Sequence, residues 1–223
     1  VVELYAVGLR RSSMFGMDDP SKVVDQIRSY IAESRLELAE VMAQELSTHL
    51  LNSKRDKDLD QVLVLVLREW TLVLFMREQW KDAHSAAVRL AKARKIQMRR
   101  IRALGDIEAF SNGIQLEVED LIIHGRIESS RGRLRASRKK FSSAIRRFKI
   151  VIKEYETTDQ TPEALLRLTE CYLSLGLTDE AQKTASVLIY NFPKSIWTKS
   201  IPSYFKLNNT EPKIEQESDG FFS

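Results

Sequence analysis

Along most of this chain apolar residues recur at intervals of three and four, the period of amphipathic helices. Residues 1–19 show no sustained period and predict an irregular lead-in. Val23, Val24, Ile27 and Ile31 then fall at helical spacing, followed by Leu36, Ala39, Ala43 and Leu46. Asp19-Pro20-Ser21 is a helix-start signal. A capping side chain is followed by Pro, whose missing N–H costs nothing in the first turn. Residues 21–50 are long for one globular helix, and Glu33-Ser34-Arg35 is the polar point at which it would divide. Residues 52–60 are polar and predict a loop, with a second helical pair at 59–77 and 80–100. The apolar run 62–67 has the β-branched content of a strand. It continues into Arg68-Glu69-Trp70 without a turn residue, which favours helix. Gly105 and Ser111-Asn112-Gly113 predict breaks, leaving a short helix at 114–124.

From residue 126 the pattern sharpens. Phe141, Ala144, Phe148 and Val151 lie on one helical face. A polar link at 156–160 leads to Thr161-Pro162-Glu163, which opens a helix with Leu165, Leu168 and Tyr172 together. Gly176 closes that helix, and Thr178-Asp179-Glu180 opens another with Ala181, Ala185 and Leu188, ending before Pro193. The unit at 162–193 fits the tetratricopeptide (TPR) hairpin, in which small residues permit close helix approach. The same second-helix pattern stands at Trp80-Ala83-Ala87-Leu90 and Leu36-Ala39-Ala43-Leu46. Its spacing is uneven, 44 residues from Ala39 to Ala83, 61 from Ala83 to Ala144 and 37 from Ala144 to Ala181. The expected fold is all-α, a TPR-like helical-hairpin solenoid. Its parts are the lead-in at 1–19, an N-terminal helical region at 20–125, C-terminal hairpins at 126–207 and a disordered tail at 208–223.

Stacked hairpins build a concave surface that holds partner peptides or helices. Glu163, Leu166, Glu170 and Leu173 fall off the packing face of the 162–175 helix and are the candidate protein-binding residues. A solvated face, or a contact with the next helix, is the other reading of the same four positions.

Composition supports helices and excludes much chemistry. The chain has 8 Gly and 5 Pro in 223 residues, too few for a turn-rich all-β fold. A single Cys cannot form an intramolecular disulfide or a Cys-rich zinc site. Cys171 lies beside Tyr172 in a predicted helix and reads as a buried thiol. His49, His84 and His124 are scattered, read as surface or helix-end residues, and show no carboxylate or Cys at ligand spacing. Glycine-rich phosphate loops and nucleophile elbows are absent from the sequence. No catalytic residue, metal site or cofactor is expected, and the chain does not read as an enzyme. The apolar run 62–67 is far shorter than a membrane span.

The net charge is only +4, but it is unevenly distributed. Lys92, Arg94, Lys95, Arg99, Arg100 and Arg102 form one cluster. Arg126, Arg131, Arg133, Arg135, Arg138, Lys139 and Lys140, followed by Arg146, Arg147 and Lys149, form another. The second is a candidate anion-binding surface for phosphates or lipid head groups. The aromatics of a nucleic-acid stacking platform are missing, so a solvated face or an acidic partner is preferred. This leaves a cytoplasmic TPR adaptor, binding an acidic or nucleic-acid partner through 92–149, as the alternative function.

At 132–205 the sequence goes beyond a generic TPR. The runs Glu154-Tyr155-Glu156-Thr157-Thr158, Thr161-Pro162-Glu163-Ala164-Leu165 and Leu173-Ser174-Leu175-Gly176-Leu177, with Asp179-Glu180-Ala181, resemble the C-terminal repeats of the BamD family. So does Tyr190-Asn191-Phe192-Pro193 followed by Trp197, an ending that TPR packing does not demand. That family comprises TPR lipoproteins of the bacterial outer-membrane β-barrel assembly machine, and the likeness is greatest to alphaproteobacterial forms. The resemblance implies a scaffold in outer-membrane protein assembly, at the periplasmic face of the outer membrane, with other assembly subunits as partners. In the family these repeats contact the periplasmic domains of the barrel subunit, which implies a partner surface within 162–205. It also implies a secretory leader and a lipid-bearing Cys upstream of Val1, an anchor this sequence does not contain. Upstream of about residue 126 the family's repeats are not matched.

Overall fold

The computed structural model describes residues 19–53, 57–135, 138–155 and 158–208. The expected lead-in at 1–18 and most of the expected tail lie outside these residues. All regular structure among the described residues is helical, as the periodicity predicted. The chain divides into two compact units, 1–106 and 107–223. Each contains two helical hairpins.

The first unit holds α1 (Pro20–Ala32), α2 (Leu36–Asn52), α3 (Lys57–Met76) and α4 (Trp80–Leu104). Asp19 caps α1 as predicted, its carboxylate accepting from the Ser21 backbone N–H at 3.0 Å. Consecutive helices pack together, and α1 also touches α3. Val24, Ile27, Ala39, Ala43, Leu46, Leu63, Val66, Leu67 and Leu90 supply much of the core. The run 62–67 is therefore helix, buried on most sides rather than paired as a strand. Arg28 on α1 meets the buried Glu69 carboxylate on α3 at 2.9 Å.

The second unit holds α5 (Ile107–Arg135), α6 (Arg138–Glu154), α7 (Thr161–Leu175) and α8 (Thr178–Asn191). A 3-10 turn (Thr198–Ser200) and the short α9 (Ile201–Leu207) follow. Neighbours again pack in sequence, with α5 touching α7 and α9 touching α7. Contact between the first helices of successive hairpins is the stacking of a TPR-like solenoid, and both units show it.

Four small residues mark the close approaches. Ala39, Ala83, Ala144 and Ala181, one in each second helix, are all fully buried. Their uneven spacing has a simple origin: α4 and α5 are 25 and 29 residues long, against 14 for α8. The expected break at 111–113 and the short helix at 114–124 are corrected, because α5 runs unbroken from Ile107. A helical Gly costs only about 1 kcal/mol, and burial of Val118, Ile122 and Ile127 further along the same helix outweighs it. The boundary between units consequently falls at 106/107 rather than at 125/126.

Three hairpin turns share one geometry. Arg35 N–H donates to Tyr30 C=O, Gln79 to Leu74 and Leu177 to Tyr172. The residue before each donor is left-handed: Ser34 (φ 59), Glu78 (φ 58) and Gly176 (φ 73). This is the helix-ending bond pattern that usually recruits Gly. Only the third turn uses Gly, so only that one stood out in the sequence.

Candidate partner-binding surface

α7 is apolar nearly all round, and such a helix is buried all round. Leu165, Leu168 and Tyr172 face the core as predicted. Leu166 and Leu173 are in the core too, only 1% and 7% exposed, and Glu170 is 8% exposed. These candidate protein-binding residues do not line an open groove. α5, α6, α8 and α9 all pack against α7, on which Ser174 is the one exposed residue. The apolar positions 164, 165, 166, 168, 171, 172 and 173 are the sequence signal for this. Ile201 and Phe205 of α9, both fully buried, complete the core at the C-terminal end.

Glu163 and Glu170 instead enter a charge network around Arg167, a residue the sequence reading did not single out. The Arg167 guanidinium lies 3.2 Å from Glu163 and 2.7 Å from Glu170. It also sits 5.2 Å over the Trp197 ring and 3.5 Å from the Tyr204 hydroxyl. Arg126 of α5 approaches Glu163 at 3.6 Å. Burial works against the charge on Arg167, but Glu170 and Glu163 more than offset it and its pKa is raised. Arg126, half-buried and close to Arg167, is lowered, partial burial being the larger cause. Burial, and then Glu170, raise the Tyr204 phenol. Trp197 is thus held between core and guanidinium, which gives the aromatic-Pro-x-Ser-x-Trp ending a packing role. The signal for Arg167 was present as Glu163-x3-Arg167-x2-Glu170, a one-turn charge ladder on a helix.

A second buried pair joins α5 to α6. Glu128 accepts from Arg147 Nε at 2.8 Å and lies 3.9 Å from His124 Nε2. His124 is corrected on two counts: it is 3% exposed, and a carboxylate lies one helical turn away. That carboxylate is occupied by Arg147. His49 is exposed near the end of α2, and His84 is half-buried. Cys171 is a buried thiol donating to Ser129 Oγ at 3.7 Å. Burial pushes its pKa up to about 12, which suits packing and not nucleophilic chemistry.

The candidate anion-binding residues divide. Arg138 and Lys139 are exposed on α6, and Lys140 is half-buried. Arg133 is exposed, its guanidinium donating to Ser129 and Ser130 Oγ at 3.3 and 3.2 Å. Arg131 is half-buried, and the side chain of Arg135 lies outside the described residues. In the first basic cluster Arg94 is buried, donating to Gln97 at 2.8 Å, and Arg100 pairs with Asp60.

What known proteins match lies within the second unit. A family model described as an outer membrane lipoprotein, YfiO, matches residues 127–201. The chain is 43% identical over 61 residues to outer membrane protein assembly factor BamD of Caulobacter vibrioides. It is 58% identical over 43 residues to that of Rickettsia prowazekii. The C-terminal unit is BamD-like. The matches take in 27% and 19% of this chain, and about a fifth of the length of each curated relative. The BamD-like segment begins inside α5 and ends at the start of α9, so it contains the packing faces of α6, α7 and α8, and Trp197.

Proposed function

We propose that this chain is a non-enzymatic scaffold that takes part in assembling β-barrel proteins into the outer membrane by binding other assembly subunits. The observation behind the reading is that the BamD-like segment takes in the end of α5, all of α6 and the whole α7–α8 hairpin. The segment includes Trp197, whose ring joins the α7 charge network to the core at the end of the unit. Its working location is the periplasmic face of the outer membrane. Among the described residues no helix is long and apolar enough to cross a membrane, which fits a protein tethered there by other means.

Since Leu166 and Leu173 are covered, the subunit-binding surface belongs elsewhere on the unit. Tyr190 and Ile196 are 67% and 68% exposed within the BamD-like segment. Exposed aromatic and aliphatic side chains of this kind anchor protein interfaces. Depleting the chain from its native cell tests the reading. The expected result is a fall in the level of folded outer-membrane β-barrels, restored by the intact chain and restored poorly by the Tyr190→Ala, Ile196→Ala double variant. Unchanged β-barrel levels on depletion would remove the proposal.

A further inference from the structure

From Ser129 to Lys153 the sequence contains ten Lys and Arg and not one acid. Residues 83–105 hold the other dense acid-free basic run, but there Arg94 is buried and Arg100 pairs with Asp60. The structure sorts these cations. Arg147 turns in to Glu128 and leaves the surface count. Arg138, Lys139, Ser142, Arg146, Lys149 and Lys153 are exposed. On a helix of 100° per residue they share one arc of about 100°, opposite Phe141, Ala144, Phe148 and Val151. The arc extends for about 22 Å at 1.5 Å per residue. The nearest acid along the helix is Glu154, at its C-terminal end.

We propose that this face of α6 rests on anionic phospholipid head groups. Two features choose lipid over other polyanions. Protein interfaces centre on buried apolar and aromatic anchors and are depleted in Lys, yet no large apolar side chain is exposed on α6 among the described residues. Single-stranded nucleic acids need stacking aromatics, and both Phe side chains of α6 are buried. What remains is a straight row of cations with small Ser between them, suited to a flat sheet of negative charge. The matched family is itself described as an outer membrane lipoprotein, so a bilayer surface is the polyanion at hand. This contact is separate from subunit binding: either can fail while the other holds.

The test is co-sedimentation of the full chain with vesicles of phosphatidylcholine alone or with about 30% phosphatidylglycerol. Binding is expected only to the anionic vesicles and is expected to vanish at high salt. The Lys139→Gln, Arg146→Gln, Lys153→Gln triple variant should bind about a hundredfold more weakly, near fivefold per charge removed. A control with Lys183, Lys194 and Lys199 changed to Gln removes the same net charge elsewhere and should lose far less. Circular dichroism confirms that both fold. Equal partitioning to both vesicles, or equal loss in the control, overturns the proposal. So does stripe-dependent capture by duplex nucleic acid or polyglutamate without capture by anionic vesicles.

Discussion

Gly125 and Gly132 lie seven residues apart on α5, opposite Phe148 and Phe141, which lie seven apart on α6. Each Gly is a notch for one ring. A Cβ at Gly125 would stand 2.6 Å from Phe148 Cε1 and 2.7 Å from Cζ. Carbon atoms pack best at about 3.5–4.0 Å, so the overlap approaches 1 Å. Phe148 is fully buried, so its ring can move only by displacing other core side chains. Two effects of Gly125→Ala compete. Helix propensity favours Ala by about 1 kcal/mol, while overpacking of this kind costs roughly 1–3 kcal/mol. The overlap with two ring atoms puts the cost in the upper part of that range, so the expected outcome is a net loss of up to about 2 kcal/mol. Urea unfolding followed by circular dichroism reads it directly. Phe148→Leu shortens the offending side chain, so combining it with Gly125→Ala should give a double variant more stable than additivity predicts, by about 1 kcal/mol or more. Gly132→Ala meets Phe141 at 2.9 Å and should cost less. If Gly125→Ala stabilised the protein, or the cycle were additive, the notch would not exist as described.

Other expectations follow from the same packing. Ala181→Leu places a large side chain at a fully buried helix contact and should cost roughly 1–3 kcal/mol; an unchanged melting temperature would contradict it. Glu78→Gly should stabilise by about 0.5–1 kcal/mol, because Glu78 is exposed and left-handed where Gly is unstrained; a lower unfolding midpoint would count against the turn geometry. Alkali should destabilise the fold. The Cys171 thiol is raised by burial from 9.0 to about 12, and the Tyr155 phenol, also by burial, from 10.0 to about 12. The unfolded chain therefore loses these protons first, and stability falls as pH rises from about 9 towards 12. Cys171→Ala should flatten the early part of that slope, which pH-dependent urea titrations would show.

Much of the architecture was legible because periodicity and caps agreed. Asp19-Pro20 opened α1, Thr161-Pro162 opened α7, and Gly176 closed it, all as expected. The four buried Ala residues were visible as a repeated small position even at uneven spacing. What the sequence hid was mostly tertiary. Ser34 and Glu78 adopt a glycine's conformation because neighbouring helices hold the turn, so no Gly announces it. Ser111-Asn112-Gly113 looks like a break, yet apolar burial elsewhere on α5 carries the helix through it. Leu166 and Leu173 looked free on a one-face reading of α7, and α9 and its neighbours cover them. The Gly125/Gly132 and Phe141/Phe148 pairs had matching heptad spacing, a signal readable only when the two helices are set antiparallel.

The central claim is that the BamD-like unit of this chain binds another subunit of an outer-membrane assembly machine. Calorimetric titration of the full chain with the periplasmic domains of the barrel subunit from the same organism tests it most directly. The account predicts saturable binding that weakens about tenfold or more in Tyr190→Ala, Ile196→Ala, the loss of two interface anchors. No heat of binding from correctly folded partners would contradict it.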